Sequence, residues 1–181
     1  MVHIAGVEVS TPMMIGAAVA LVVIIILAYF MFSGSTSVLP VTATGTFLWD
    51  PNISYTTNPA DALVAGSDGV NTIYVAAIKD VSGNYTIAKA TKVYGWYSDG
   101  TKEIRVPVSQ VMFLPASAVG GASWASVLTR GVALVTRPDE RVCRLNAPNG
   151  VHPGFVTGGN CVITYGGKGI TSPTFEYLNA P

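Results

Sequence analysis

Charged side chains are scarce in this chain. Lys, Arg, Asp and Glu make up 11% of its 181 residues, against a usual share of about 25%. Ten bases balance ten acids, so there is no net positive charge with which to bind nucleic acid. The first Lys or Arg is Lys79, so the positive-inside rule cannot orient an N-terminal membrane segment. A surface so poor in charge suits a domain that packs against neighbouring proteins or carries sugar.

Cysteine and histidine are also scarce, with two of each in the chain. No Cys-x-x-Cys or His-x₃-His spacing occurs, and we expect neither a metal site nor a cofactor. Cys143 and Cys161 lie on two predicted strands. We expect them to form a disulfide bond in an oxidising compartment and to be two buried thiols in a reducing one. His152 lies midway between them in a run of Gly, Pro and Asn, and we predict that it is a turn residue.

The motifs of common enzymes are missing as well. The carboxylates are scattered, mostly through predicted turns, and none of their pairs has the context of a glycosidase or a protease. The glycine-rich run YGGKG at 165–169 lacks the spacing of a phosphate-binding loop. We therefore expect a protein that is not an enzyme and has no catalytic residues, and nothing in the sequence indicates a small-molecule ligand.

In contrast to these scarce features, the chain contains one long apolar run. Residues 13–32 read MMIGAAVALVVIIILAYFMF, without a charge, an Asn or a Gln. An α-helix of this length is about 30 Å long, the thickness of the hydrocarbon core of a bilayer. Ser10 and Thr11 offer an N-cap, Pro12 suits the first helical turn, and the polar run SGSTS ends the helix. The run predicts a transmembrane helix over 13–33.

Three other interpretations of this run fit less well. A buried core helix is rarely apolar on every face over such a length. A signal peptide has a shorter apolar stretch preceded by Lys or Arg, and residues 1–12 contain neither. A pilin-like stem is similar in having a hydrophobic N-terminal helix before a β-rich head. Such stems continue as a long amphipathic helix, whereas SGSTSVLP follows here at once.

The predicted helix sets the organisation of the rest. Gly16 and Ala20 form a small-xxx-small pair, a face on which two membrane helices can approach closely. The predicted segments are an N-terminal arm (1–12), the transmembrane helix (13–33), a short linker (34–45) and a β domain (46–181).

Short β-prone runs separated by turn signals fill the β domain. The run SGN at 82–84 predicts a hairpin loop in which Gly83 takes a positive φ, and Asp99-Gly100 predicts a second hairpin. Together they predict a three-stranded meander over 72–114, with Pro107 on an edge strand. Seven or eight such strands are typical of an antiparallel β-sandwich or jelly-roll-like domain, so the predicted fold is mainly β.

Two short helical segments are expected between the strands. Asn58 and Pro59 have the chemistry of an N-cap and a first helical residue, and they predict one or two helical turns. Residues 116–128 have helical composition interrupted by two glycines, which predicts a loop with a short helix.

Two sequons and a set of aromatic side chains complete the candidate features. Asn52 and Asn84 are acceptors for N-glycosylation if the domain is lumenal or extracellular. Aromatic side chains either pack in the core or form a carbohydrate platform, and core packing is the commoner use. This set comprises Trp49, Tyr94, Trp96, Tyr97, Trp124, Tyr165, Phe175 and Tyr177.

One stretch resembles a β-module of structural proteins from large icosahedral DNA viruses of algae and protists. In that module an Ala-rich strand ends in YG, and a hairpin leads to a strand resembling DVT. Here VYG at 93–95 matches the first part, and EIRVPVS at 103–109 takes the place of the second, with Val-Pro-Val in place of Asp-Val-Thr. The resemblance covers residues 87–112 and implies a structural role, as in membrane-anchored minor capsid proteins.

The expected function is therefore that of a single-pass membrane-anchored structural protein. We expect a virion component at the interface between an internal membrane and the capsid shell. Its partners would be the lipid bilayer and neighbouring capsid or surface-layer proteins, without nucleic acid. Two alternatives are a glycosylated, disulfide-bonded recognition domain at the cell surface or in a lumen, and a pilin-like filament subunit.

Overall fold

The structure is a computed structural model that describes residues 2–4, 7–9, 45–99 and 101–181. The chain divides into two units, Met1–Thr42 and Ala43–Pro181. In the first unit, strands β1 (Val2–Ile4) and β2 (Val7–Val9) form an antiparallel hairpin with His3 opposite Glu8. This hairpin falls within the predicted N-terminal arm.

The predicted transmembrane helix, with Gly16 and Ala20, lies outside the described residues, as does the predicted linker apart from residue 45. None of the helical segments in the described ranges has the length and apolar character of a membrane span.

The second unit is mainly β, and its described residues form fourteen strands in two sheets. One sheet has six strands: β4 (Val64–Ser67), β5 (Thr72–Lys79), β6 (Tyr85–Ala90), β7 (Tyr94–Ser98), β8 (Glu103–Pro107) and β9 (Met112–Phe113). The other has eight: β3 (Phe47–Trp49), β10 (Ser123–Ala125), β11 (Val132–Leu134), β12 (Arg137–Ala147), β13 (Gly150–Thr157), β14 (Asn160–Tyr165), β15 (Lys168–Ser172) and β16 (Glu176–Asn179).

In the six-stranded sheet, the central strands β5 and β6 are buried on both faces. Val75 and Ala77 face a core that also contains Trp49 and Leu134 of the other sheet. The alternate residues of β5 face a second core, which includes Phe113. Because successive side chains of a strand point to opposite faces, this run of apolar residues without alternation is what a strand between two cores requires.

The six-stranded sheet confirms both predicted hairpins. Asp80 Oδ1 accepts hydrogen bonds from the backbone of Ser82 and Asn84, and Gly83 has a φ of 80°. In the second hairpin, Asp99 accepts hydrogen bonds from the backbone of Lys102 and Thr101. These bonds, that of Lys102 most, lower the pKa of Asp99 to about 2, so the carboxylate that holds this turn stays charged.

The predicted meander is wrong in its strand count. The run predicted as one strand from 85 to 97 is two strands, β6 and β7, so the meander has four strands in the order β5-β6-β7-β8. Thr91 causes the break, because its hydroxyl accepts hydrogen bonds from the backbone of Val93 and Tyr94 and closes a tight turn. Among the described strands, Pro107 lies on β8 at the edge of the sheet, as predicted.

The eight-stranded sheet is built around the order β10-β16-β12-β13-β14-β15, and β11 joins it through β12. Strand β3 pairs with β11 in parallel, which brings Trp49 into the shared core. All other pairings in this sheet are antiparallel among the described residues.

The prediction that His152 lies in a turn is wrong. It lies within strand β13, with its side chain only 2% exposed, and is followed there by Pro153 and Gly154. The sequence indicated a loop because Pro and Gly are depleted in central strands. The central position of β13, between β12 and β14, overrides that tendency.

The two short helical predictions are confirmed as 3₁₀ turns. The first spans Pro59–Asp61, and the side chain of Asn58 caps it by accepting a hydrogen bond from the backbone of Ala60. The second spans Ala116–Val119 and ends at Gly120.

Candidate functional site

A cavity of about 380 Å³ with both polar and apolar lining opens among the ends of several strands. It is lined from the turn between β4 and β5 and from strands β6, β7, β13 and β14. Its main polar and aromatic residues are Asp68, Asn71, Lys89, Trp96, His152 and Tyr165.

Lys89 is a buried charge in the wall of this cavity. Lys89 is 7% exposed and lies on strand β6, whose other residues are all buried. The ammonium donates to the carbonyl oxygen of Thr164 at 2.7 Å and lies 2.6 Å from Glu103 Oε1. It also lies over the rings of Trp96 and Tyr165, at 5.4 and 5.8 Å from their centroids. These contacts compensate for the loss of water, which would otherwise make a buried ammonium unfavourable.

Glu103 connects this charge to the other sheet. Its Oε2 accepts a hydrogen bond from the backbone N–H of Gly167 at 3.0 Å, in the turn between β14 and β15. The backbone of Glu103 in turn donates to the carbonyl oxygen of Gly167. The ion pair between Lys89 and Glu103 therefore lies where the two sheets meet.

His152 is the least satisfied polar side chain of the cavity. It is almost fully buried, and neither ring nitrogen has a hydrogen-bond partner among the described residues. Its ring packs edge-on against Tyr165 with the centroids 5.3 Å apart. Burial lowers the pKa of the imidazole, and the charge of Lys89 lowers it further, while Asp68 and Glu103 act in the opposite direction. The imidazole is therefore neutral at pH 7, with one nitrogen as a donor and the other as an acceptor.

Asp68 holds the rim of the cavity in a fixed turn. Its Oδ1 accepts hydrogen bonds from the backbone of Asn71 at 2.6 Å and of Val70 at 3.0 Å. The bond from the Asn71 backbone is the main reason that the pKa of this carboxyl is lowered. The carboxylate is charged at neutral pH and half-buried beside the cavity.

The arrangement is suited to binding a small molecule. The ammonium of Lys89 is held by an ion pair and a carbonyl, and Asp68 is held by its own turn. The neutral imidazole of His152 has hydrogen-bonding capacity to spare at both ring nitrogens. Aromatic rings beside a few fixed polar groups are the usual composition of a small-molecule pocket.

The structure places the other predicted site residues away from this cavity's lining. Cys143 and Cys161 are joined in a disulfide bond with their Cα atoms 6.0 Å apart. Asn52 is exposed, and its side-chain oxygen accepts a hydrogen bond from the hydroxyl of Tyr85. Asn84 is exposed in the loop between β5 and β6.

The aromatic side chains do not share one surface. Trp49 and Tyr97 are buried, and Trp124 packs under the guanidinium of Arg144. Trp96 and Tyr165 line the cavity together.

Sequence reasoning did not identify the cavity. The signal for it was Lys89, a single charge within the apolar run YTIAKA of a predicted strand. Such a charge requires a buried partner, but Glu103 reaches it only through the pairing of β6, β7 and β8. His152 lies in a run of Gly, Pro and Asn that predicts an exposed turn, so its sequence context gives no sign of a buried site.

Within the described ranges, no group of three or more His, Cys, Asp or Glu side chains is placed to hold a metal ion. A scan against models of known protein families finds no match for this chain. A search of curated proteins finds no match either.

Proposed function

We propose that the protein is a single-pass membrane-anchored structural protein whose β domain binds a neighbouring protein layer. The observation that carries this proposal is the uninterrupted apolar run at 13–32, joined to a folded β domain of low charge. The run has the length and composition of a membrane span. An anchored domain with few charges is suited to lateral and face-to-face contacts rather than to free diffusion at high concentration.

The finer architecture that we propose for the domain is a β-sandwich. Residues from both sheets meet in one core, including Val75 and Ile87 from one sheet and Val142 and Leu178 from the other. Several apolar side chains remain exposed on its loops, among them Ile53, Val70 and Val81. They are available for contacts with an adjacent protein. The resemblance of residues 87–112 to a viral β-module supports a virion, with the span in an internal membrane and the domain beneath the capsid shell.

A second candidate function is a recognition domain at a cell surface or in a lumen. The disulfide bond between Cys143 and Cys161 favours it, because such bonds persist mainly in oxidising compartments. Exposed sequons at Asn52 and Asn84 are compatible with the same setting.

Membrane extraction tests the anchor. Native membranes or particles are washed with alkaline carbonate and centrifuged, and the protein is expected in the pellet. Its appearance in the supernatant would contradict the membrane anchor and the tethering role with it.

Crosslinking with mass spectrometry on the intact assembly distinguishes the two candidates. Crosslinks from residues 43–181 to abundant shell proteins support the structural role. Sugar on Asn52 or Asn84, detected as an endoglycosidase-sensitive shift in mobility, together with an absence of shell crosslinks supports the recognition domain.

A further inference from the structure

We propose that the cavity beside His152 binds one hexose-sized unit of a neutral carbohydrate. The proposal concerns a site on the β domain and goes beyond the anchoring role, since a domain can bind sugar whether or not its chain spans a membrane.

The first step is the unsatisfied imidazole of His152. The ring lines the cavity, is 2% exposed, and makes no hydrogen bond through either nitrogen to the described residues. A buried polar group without a partner is unfavourable, and such groups in proteins usually have a partner in the protein, water or a ligand. The neutral ring offers one donor and one acceptor, and a hydroxyl group both donates and accepts.

The second step is the pair of aromatic rings. Trp96 and Tyr165 are only partly buried and line the same cavity as His152. Large rings beside a few polar groups suit a ligand that has apolar faces and hydroxyl edges. A pyranose has both, with C–H bonds on its faces and hydroxyl groups around its rim.

The third step is the charge of the lining. The positive charge of Lys89 is matched by Glu103, and Asp68 adds a further negative charge while His152 is neutral. Lys89 and Asp68 are the charged residues of the described lining, one of each sign, and Glu103 pairs with Lys89 from outside the lining. The lining therefore offers no positive charge without a counter-charge, which disfavours phosphorylated or carboxylated ligands. The fixed carboxylate of Asp68 and the exposed amide of Asn71 are suited to hydroxyl groups instead.

The fourth step is size. The cavity volume of about 380 Å³ lies at the small end of the range of about 300 to 1,000 Å³ for ligand pockets. That volume suits a single sugar ring, either free or as one residue of a longer glycan.

The test uses the full chain in lipid nanodiscs, because many detergents carry sugar head groups of their own. Saturation-transfer NMR is recorded with glucose, galactose, mannose, N-acetylglucosamine and, as an anionic comparison, glucose 6-phosphate. We expect at least one of the four neutral sugars to receive saturation, with millimolar affinity, and glucose 6-phosphate to bind more weakly than glucose.

Two variants connect binding to this cavity. His152→Phe keeps an aromatic ring of similar size and removes both nitrogens, and we expect at least a tenfold loss of affinity. Trp96→Phe reduces the aromatic face and should weaken binding several-fold. Trp124→Phe makes the same substitution at a residue outside the lining and should leave binding unchanged.

Thermal unfolding of each variant shows whether it folds. If His152→Phe does not fold, the partly exposed position 96 still provides the comparison. The proposal is overturned if none of the four neutral sugars binds the wild-type protein. It is also overturned if a folded His152→Phe or Trp96→Phe variant binds sugar as tightly as the Trp124→Phe control.

Discussion

Gly154 occupies a position in which no side chain fits. It lies on β13 opposite Cys143 of β12 and Ile163 of β14. A Cβ atom at this position would overlap the backbone carbonyl of Val162 and crowd the side chain of Ile163. The glycine is therefore required by the close approach of β14 rather than by an unusual backbone angle.

We predict that Gly154→Ala lowers the free energy of unfolding by about 3 kcal/mol, because the backbone of Val162 must move to admit the methyl group. Gly120→Ala is the matched control, since a Cβ there meets only an ordinary contact with the carbonyl of Ser117. Urea unfolding of both variants measures the difference. Equal stabilities for the two variants would show that the strands are further apart than in this structure.

In the ion pair between Lys89 and Glu103, each side chain neutralises the charge of the other where there is little water to do so. We predict that Lys89→Met lowers the free energy of unfolding by about 3 to 5 kcal/mol, because it leaves a carboxylate buried without its partner. Adding Glu103→Gln in the same chain removes that charge and should restore part of the loss. Urea unfolding of the two single variants and the double variant gives the coupling energy. Strictly additive losses would mean that the two side chains do not interact.

The buried imidazole of His152 predicts a dependence of stability on pH. Burial lowers its pKa in the folded protein, so below about pH 6.5 the unfolded chain takes up a proton that the folded chain does not. The free energy of unfolding should therefore fall as the pH drops from about 7 to 5, by at most about 1.4 kcal/mol per pH unit from this group.

His152→Phe removes that contribution. The comparison of wild type with variant cancels the effect of His3 and of the carboxylates, which both chains share. Urea unfolding across the same pH range measures the two curves. Parallel curves would show that the imidazole titrates alike in the folded and unfolded chains.

Local sequence signals predict the strands that carry Cys143 and Cys161, which are β12 and β14, but they do not predict β13 between them. Hairpins held by Asp80 and Asp99 were predictable because their turn chemistry is local. Strand β13 was not, since its Pro and Gly resemble loop residues until the neighbouring strands are known. The cavity was not predictable either, because Lys89 and His152 are brought together by pairings distant in sequence.

The disulfide bond shows how strongly the sheet curls at strands β12, β13 and β14. It joins β12 to β14, which lie on opposite sides of β13. In a flat sheet such strands are about 9.6 Å apart, whereas the Cα atoms of Cys143 and Cys161 are 6.0 Å apart. The sheet must therefore fold over β13, where Pro153 and Gly154 lie.

We predict that replacing both cysteines with alanine lowers the free energy of unfolding by about 3 kcal/mol, chiefly because the unfolded chain loses the constraint of a closed loop. Unfolding of the oxidised wild type and of the double variant gives the difference. Thiol titration of the unreduced, denatured wild-type protein is the direct check. Two reactive thiols there would show that the cysteines are not bonded in the native protein.

At the scale of the whole molecule, the proposed function depends on the solvent that surrounds residues 13–32. Eleven of these residues are Leu, Ile, Val or Phe, and on the insertion scale they favour the bilayer by about 3 to 7 kcal/mol in total. Two lysines near the centre of the run would oppose this by about 5 to 7 kcal/mol. The two contributions are similar in size, so two substitutions are enough to test the anchor.

We predict that the double variant Val22→Lys with Ile25→Lys is released from membranes by alkaline carbonate, while the wild-type protein stays in the pellet. The control carries Val22→Ile with Ile25→Val, which changes the same two positions and keeps them apolar, and it should sediment as the wild type does. Limited proteolysis of the released variant, after return to neutral pH, shows whether residues 43–181 still form a protease-resistant domain, which separates loss of the anchor from loss of the fold. Continued sedimentation of a folded double-lysine variant would mean that protein contacts, rather than lipid, hold the chain at the membrane.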